Sequence, residues 1–379
     1  MKILYITVPS FFDLEISLIR ELSKNNEVKV IMFLTPPSSR SSAFSIQKLS
    51  ERCGLIDAAQ YDGLEQYDKL INLDDWIIAN NPTNSIFNAI KLTIQINRYI
   101  SYFKPDVVHF TNFSFNMIGS IVCLKSRIKR ILTIHDPESH DRQRLINRIL
   151  KKIGIWKAKN ILFLSEPPLH VKQKIQKICK SIHYSSLGPY DFLEYYIQSG
   201  SQNSYGRYIL FFGRIERYKG VDILIESFIH SKACANGYKL VIAGKGSIGI
   251  FKEHENIQII NRYIENQEIA SLIKNSQFVV LPYRSATQSG VVMSAFALGK
   301  PVIATNVGNF SNILSDGKYG VVVEPEDVSG LSASIDSLIE DKYLLKTLSD
   351  NIIRDYNAGG IYGWKSIAEN LIETYKSLD

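Results

Sequence analysis

Two doubly wound α/β domains in tandem are what this sequence predicts, and three observations predict them. Short apolar runs alternate with helical patterns, the alternation restarts after a polar stretch near residue 200, and 379 residues with 45% hydrophobic content are long for one domain.

The first series reads "KILYIT" (2–7), "EVKVIMFL" (27–34), "DVVHFT" (106–111), "RILTIH" (130–135) and "NILFLS" (160–165), separated by helical patterns such as "DLEISLIRELSKN". Between the second and third runs, "PPSSRSSAFSIQKLSERCGL" predicts a mobile Ser-rich loop followed by a helix. "IQSGSQNSYG" (197–206) has the turn chemistry of a linker. The second series is "YILFFG", "KLVIAG", "IQIIN", "FVVLPY", "PVIATN" and "GVVVEP". The boundaries fall at 1–195 for the first domain and 206–356 for the second.

Composition narrows the function classes. Cys53, Cys123, Cys179 and Cys234 stand far apart without C-x-x-C spacing, which argues against a disulfide framework or thiolate metal site and suits a reducing, cytosolic compartment. The opening "MKILYITVPSF" reads as a first strand and not as a signal peptide. No apolar run reaches a membrane span, so membrane contact is expected to be peripheral. Residues 121–180 carry fifteen Lys or Arg against four acids. Within them "RQRLINRILKKIGIW" sets Leu145, Ile146, Ile149, Leu150, Ile153 and Trp156 on one helical stripe and Arg144, Arg148, Lys151 and Lys152 largely on another. That pattern is either a core helix with a solvated face or a helix lying on anionic lipid. Nucleic-acid binding lacks a recognition motif.

Open α/β sheets bind ligands beyond the carboxyl ends of their strands, and the unusual residues sit there. After "YILFFG", which ends in Gly213, come Arg214 and Lys219, two cations able to clamp a diphosphate or merely to decorate the surface. After "FVVLPY", the turn with Thr287, Gln288 and Ser289 leads into a helix at Gly290 and Val291, whose free N–H groups form an anion site unless Thr287 or Ser289 is a plain N-cap. Tyr263 either stacks on a base or packs in the core. His135 ends its strand next to Asp136. Asp13 and Glu15 follow the first strand, where acids contact an acceptor or simply favour a helix start. "NLDDW" lacks D-x-D spacing, so no metal is expected.

In this order, "RILTIHDPESHD", "FFGRIERYKGVDILIESF", "LVIAGKGS" and the segment from "VVLPYRSATQSGVVMSAF" to "GVVVEPED" resemble the retaining nucleotide-sugar glycosyltransferases of family 4. That resemblance implies the GT-B fold, two Rossmann-like domains facing each other across a cleft. The ending, 357–379, is similar to the family's C-terminal helix, which packs back on the first domain. The resemblance places Arg214 and Lys219 on the donor diphosphate, the backbone of Tyr263 and Ile264 on the base, and His135 beside the donor sugar. It also implies Gly213, Thr287, Gln288, Ser289, Gly290, Val291 and Ser294 as donor-binding, and Asp13, Glu15 and Asp136 as acceptor-side candidates. The two glutamates usual in the family fall on Ala286 and Ser294, so this chain matches a branch with an A-T-Q-S-G-V turn instead; that branch has "HGPY" where this chain has Leu187 in "LGPY".

The activity so implied is metal-independent, retaining transfer of a hexose from a nucleotide-diphosphate sugar, UDP- or GDP-linked and needing no other cofactor. The acceptor is a hydroxyl of a growing, lipid-linked bacterial surface glycan such as O-antigen or capsule, at the inner face of the cytoplasmic membrane, contacted through residues 121–180. A non-catalytic sugar-nucleotide-binding protein and a GT-B epimerase are the alternatives.

Overall fold

A computed structural model describes residues 1–39, 44–135, 145–197, 205–247, 253–286, 290–357 and 359–378. It divides into two compact units, Met1–Gly188 with Trp364–Asp379, and Pro189–Gly363. The boundary therefore precedes the expected 195, and residues 357–363 stay with the second unit. The Tyr190 amide donates to the Met293 carbonyl at 3.2 Å, which ties residues just past Gly188 to the second unit.

In the first unit the strands are β1 (Lys2–Thr7), β2 (Glu27–Leu34), β3 (Gly54–Asp57), β4 (Trp76–Asn80), β5 (Val107–Phe110), β6 (Lys129–Ile134), β7 (Asn160–Phe163) and β8 (Ser181–Tyr184). They lie in the order β3-β4-β2-β1-β5-β6-β7-β8, parallel except that β3 runs antiparallel to β4. The helices are α1 (Phe12–Ser23), α2 (Ile86–Phe103), α3 (Phe115–Cys123), α4 (Leu145–Ala158) and α5 (Leu169–Gln176). Right-handed crossovers decide which face each covers. The β1-to-β2 step runs one way along the sheet and the later steps run the other way, so α1 covers one face and α2 to α5 the opposite one. Leu4, Ile6, Val108, Phe110, Leu132 and Ile134 accordingly share a core with Leu92, Ile96, Met117, Ile121 and Ile155. Alternation along the strands sends Tyr5, Thr7, His109, Thr133 and His135 to the other face.

The second unit holds a parallel sheet of β9 (Tyr208–Phe212), β10 (Lys239–Ala243), β11 (Ile257–Ile260), β12 (Val279–Leu281), β13 (Val302–Thr305) and β14 (Gly320–Val323), ordered β11-β10-β9-β12-β13-β14. Its helices are α6 (Val221–Ile229), α7 (Lys232–Ala235), α8 (Asn266–Asn275), α9 (Gly290–Ala297), α10 (Phe310–Ile313), α11 (Val328–Glu340) and α12 (Lys342–Tyr356). The chain then returns to the first unit in α13 (Trp364–Ser377), which packs on α1. Both sheets are Rossmann-like.

Three expectations change. No helix follows the Ser-rich stretch: Pro36–Ser38 is a 3-10 turn, residues 40–43 lie outside the described residues, and 44–53 are irregular. Phe44 and Ile46 are buried there, and Phe44 stacks on Tyr67 with ring centroids 5.1 Å apart, so tertiary contacts replace helical periodicity. Strands β3, β4 and β8 were not foreseen. Helix α4 turns its apolar stripe outward: Ile146, Ile149 and Trp156 are exposed, while Lys151, Gly154, Ile155 and Ala158 face inward. Small residues decide this, since Gly154 lets the backbone of α4 approach Phe113 and Ile118.

Candidate active site

In the second unit, residues expected on the donor converge at the carboxyl end of β9. Gly213 follows that strand with φ of 121°, a conformation costly for any side chain but glycine's. A Cβ there would stand 3.1 Å from Lys219 Nζ and 3.8 Å from Val291 Cγ2, so the first turn of α9 and the lysine meet over one strand end. Gly220, φ 64°, completes the turn; a Cβ on it would lie 1.9 Å from the Pro282 carbonyl oxygen.

Lys219 is only 8% exposed, and its Nζ donates to the Tyr283 hydroxyl at 2.9 Å and lies 4.7 Å from the centroid of that ring. Among the described residues no carboxylate forms an ion pair with it. Burial first, and then the Arg214 charge, lower its pKa to about 8, with Glu216 opposing. A buried cation without a counter-ion, at a strand end and beside the start of a helix, is arranged to receive an anion. Arg214 differs: its side chain is 74% exposed and pairs only with Glu216, at 3.0 Å, so it can swing to a ligand at little cost.

Thr287, Gln288 and Ser289 lie outside the described residues. Gly290 opens α9 against Tyr190, whose hydroxyl would be 2.6 Å from a Cβ at that position. Ser294 is buried and its Oγ donates to the Gly290 carbonyl at 3.0 Å, so its proton is used inside the helix and it could only accept from a ribose hydroxyl. Tyr263 is exposed and Ile264 buried; Arg262 donates to the Tyr263 carbonyl at 3.2 Å and forms a two-pronged pair with Glu268 at 2.8 Å.

Three residues of this site escaped the sequence reading. Tyr283 holds Lys219, Tyr190 backs Gly290, and Arg284 braces the turn by bonding both Asp222 oxygens at 2.8 Å, Glu326 at 2.7 Å and the Arg217 carbonyl at 2.7 Å. Tyr283 and Arg284 directly follow "VVLP", a position beyond a strand end that could have flagged them.

In the first unit, His135 follows β6 and stacks on Phe11, with ring centroids 3.7 Å apart. Its Nε2 is 3.5 Å from Glu15 Oε1, and neither those two atoms nor His135 Nδ1 has a hydrogen-bond partner among the described residues. Glu15 is 3% exposed and accepts from Thr7, which in turn accepts from Thr111. Burial raises the Glu15 pKa, against the opposing pull of His135, Thr7 and Thr111. Glu15 thus points into the unit and can reach an acceptor only by way of His135. Asp13 shares the first turn of α1 and is half-buried; Asp136 lies outside the described residues. Deeper on the same face, His109 bridges Tyr375 and Thr133, each at 2.6 Å, and burial lowers its pKa to about 3, so the ring is neutral.

No group of three His, Cys, Asp or Glu side chains among the described residues is set to hold a metal ion, and no helix among them is long and apolar enough to cross a membrane.

Comparison with known proteins adds a family and a fold. Residues 206–341 match the family described as glycosyl transferases group 1. An uncharacterized glycosyltransferase of Methanocaldococcus jannaschii is 28% identical over 293 residues, covering 73% of this chain and 78% of its own. HepE of Anabaena, solved in complex with UDP, superposes with a TM-score of 0.67 at 15% identity, covering all of both chains. The UDP-GlcNAc 2-epimerase of Neisseria meningitidis, bound to UDP-GlcNAc, gives 0.59 at 14% identity over 99% of each chain. The fold is GT-B, and the matched segment supports a glycosyltransferase.

Proposed function

We propose that this protein is a metal-independent, retaining glycosyltransferase of the family 4 type, which moves a hexose from a nucleotide-diphosphate sugar to a hydroxyl of a lipid-linked bacterial surface glycan. The single observation that carries donor binding is Lys219, a buried ammonium without a carboxylate, at the strand end where α9 begins. A nucleoside diphosphate supplies the missing charge. HepE, which shares the fold, is solved with UDP and with UDP-glucose, which favours a uridine donor.

The chemistry follows from electrostatics. Lys219, the mobile Arg214 and the N–H groups opening α9 stabilise negative charge as the diphosphate departs. The acceptor hydroxyl attacks the same face of an oxocarbenium-like sugar, which retains the anomeric configuration without a carboxylate nucleophile. His135, held by Phe11 and Glu15, is assigned to the sugar. The protein works at the inner face of the cytoplasmic membrane, with the basic segment 121–180 towards anionic lipid.

A thermal-shift screen against UDP-, GDP-, ADP- and dTDP-sugars tests donor binding, since a ligand of the folded state raises its melting temperature. A UDP-sugar should stabilise the wild type and not the Lys219→Met variant. Stabilisation of both alike would remove Lys219 from the site; release of an epimerised sugar without transfer would establish the epimerase instead.

A further inference from the structure

The outer face of α2, α3 and α4 is unusual for a soluble domain. On α2, Ala89, Leu92, Ile96 and Ile100 face the sheet, yet the opposite side carries Phe87, 80% exposed, with Ile86, Ile90 and Ile94 each about half exposed. These positions recur at i, i+4 and i+8, so they form a stripe and not scattered residues. Helix α3 lies between α2 and α4: Gly119 abuts Thr93 and Gly154 abuts Ile118. It adds exposed Phe115 and Val122, and α4 adds Ile146, Ile149 and Trp156, the last 58% exposed. A contiguous apolar layer of this kind marks an interaction surface.

Charge identifies the partner. Helices α2, α3 and α4 contain no Asp or Glu, whereas Lys91, Arg98, Arg148 and Lys152 are exposed among the apolar side chains. The Lys157 ammonium sits 4.3 Å from the centroid of the Trp156 ring, an aromatic and cation pair suited to a headgroup boundary. Between Asp75 and Asp136 the only acid is Asp106, whose carboxylate accepts from the Lys2 amide beside the first strand. Asp136, Glu138 and Asp141, before α4, lie outside the described residues. A second copy of the chain would press like charges together in a two-fold contact. An anionic lipid surface satisfies both features at once: apolar side chains enter the acyl boundary and the cations meet phosphates.

We infer that the α2–α4 face seats the protein on an anionic bilayer, with the stripe of Phe87, Ile90 and Ile94 as its inserting edge. This extends the expected contact beyond residues 121–180 and makes it hydrophobic as well as electrostatic. It deepens the reading of a membrane-borne acceptor, but rests on the first unit alone.

The test uses the full chain with vesicles of phosphatidylcholine alone, or with roughly a third phosphatidylglycerol. Wild type should sediment with the anionic vesicles only. Trp76 and Trp364 are buried, so a blue shift of tryptophan emission on binding would report Trp156, and Trp156→Phe should remove it. Phe87→Ser with Ile94→Ser should weaken binding about tenfold or more at any salt concentration, since both side chains are replaced at exposed positions where folding is unaffected. Lys91→Glu with Lys152→Glu should abolish the salt-sensitive part. Vesicle binding unchanged in both double variants overturns the inference, as does a wild-type dimer that the serine variant dissolves, which would make a second copy the occupant. Donor hydrolysis by the serine variant at the wild-type rate supports a role confined to seating. Vesicle binding by a wild type that hydrolyses no donor would sink the proposed activity and leave this surface standing.

Discussion

Replacing Lys219 by Met should stabilise the protein while abolishing transfer. The buried ammonium has its pKa lowered from 10.5 to about 8, mainly by desolvation. At about 1.4 kcal/mol per unit, that shift is a cost of about 3 kcal/mol to the folded state at neutral pH. Methionine removes that cost but leaves the Tyr283 hydroxyl without its donor, a loss of about 1 kcal/mol. The net gain at pH 7 is about 2 kcal/mol, or roughly 4–8 °C for a unit of this size. The folded chain binds this proton more weakly than the unfolded one, so the cost is in full force below pH 8 and fades between pH 8 and 10.5. Wild-type stability therefore gains a contribution that rises across that window, and the advantage of the variant disappears there. Denaturant melts at several pH values between 7 and 10.5 measure both effects. Calorimetry in two buffers of different ionisation heat adds a third: near pH 9, UDP binding to the wild type should take up a proton, because the diphosphate restores the lysine's pKa. A variant that is destabilised at pH 7, or a difference that ignores pH, would show that Lys219 is not an uncompensated buried charge.

The remaining predictions concern neighbouring features. Arg214→Ala should cut transfer about a hundredfold yet change stability by less than about 0.5 kcal/mol, because only an exposed pair with Glu216 is lost; steady-state kinetics beside a melt separates the two. Ser294→Glu should lower stability by about 2 kcal/mol or more and raise no activity with the native donor, since Ser294 is buried in α9 and a carboxylate there has no partner; a more active variant would mean that the usual glutamate site survives. Tyr375→Phe should cost about 1–3 kcal/mol, by leaving His109 Nδ1 buried without a partner, and unchanged melting would remove that bond from the account.

Particular residues show what the sequence could and could not convey. The strands flanking the donor site were legible because runs such as "YILFF" and "VIAT" are buried on both faces and read as continuous apolar stretches. Strand β8 was not, since "SIHY" is a half-buried edge, and β3 pairs antiparallel at the other edge through a short, mixed "GLID". Periodicity revealed the stripe on α4 but not the side on which the sheet lies; Gly154 and Ala158 set that by allowing close approach. Lys219 was found from its place after a strand. Its partner Tyr283 was not, because an aromatic residue at a strand end looks like packing until its hydroxyl is seen to meet the ammonium.

The return of α13 to the first unit bears on how the chain is made. Ile367, Leu371 and Tyr375 are buried there, and Tyr375 closes the polar row through His109 to Thr133. All of Pro189–Gly363 must be translated before those side chains exist. At about 5–20 residues per second, the ribosome takes roughly ten to thirty-five seconds over that stretch. Through that interval the flank of α1 awaiting α13 stays bare, while the second unit has its whole sequence in hand and can mature first. The unit that begins the polypeptide is thus the one finished last, and the nascent chain's most exposed moment, when chaperones have most to shield, falls late in synthesis.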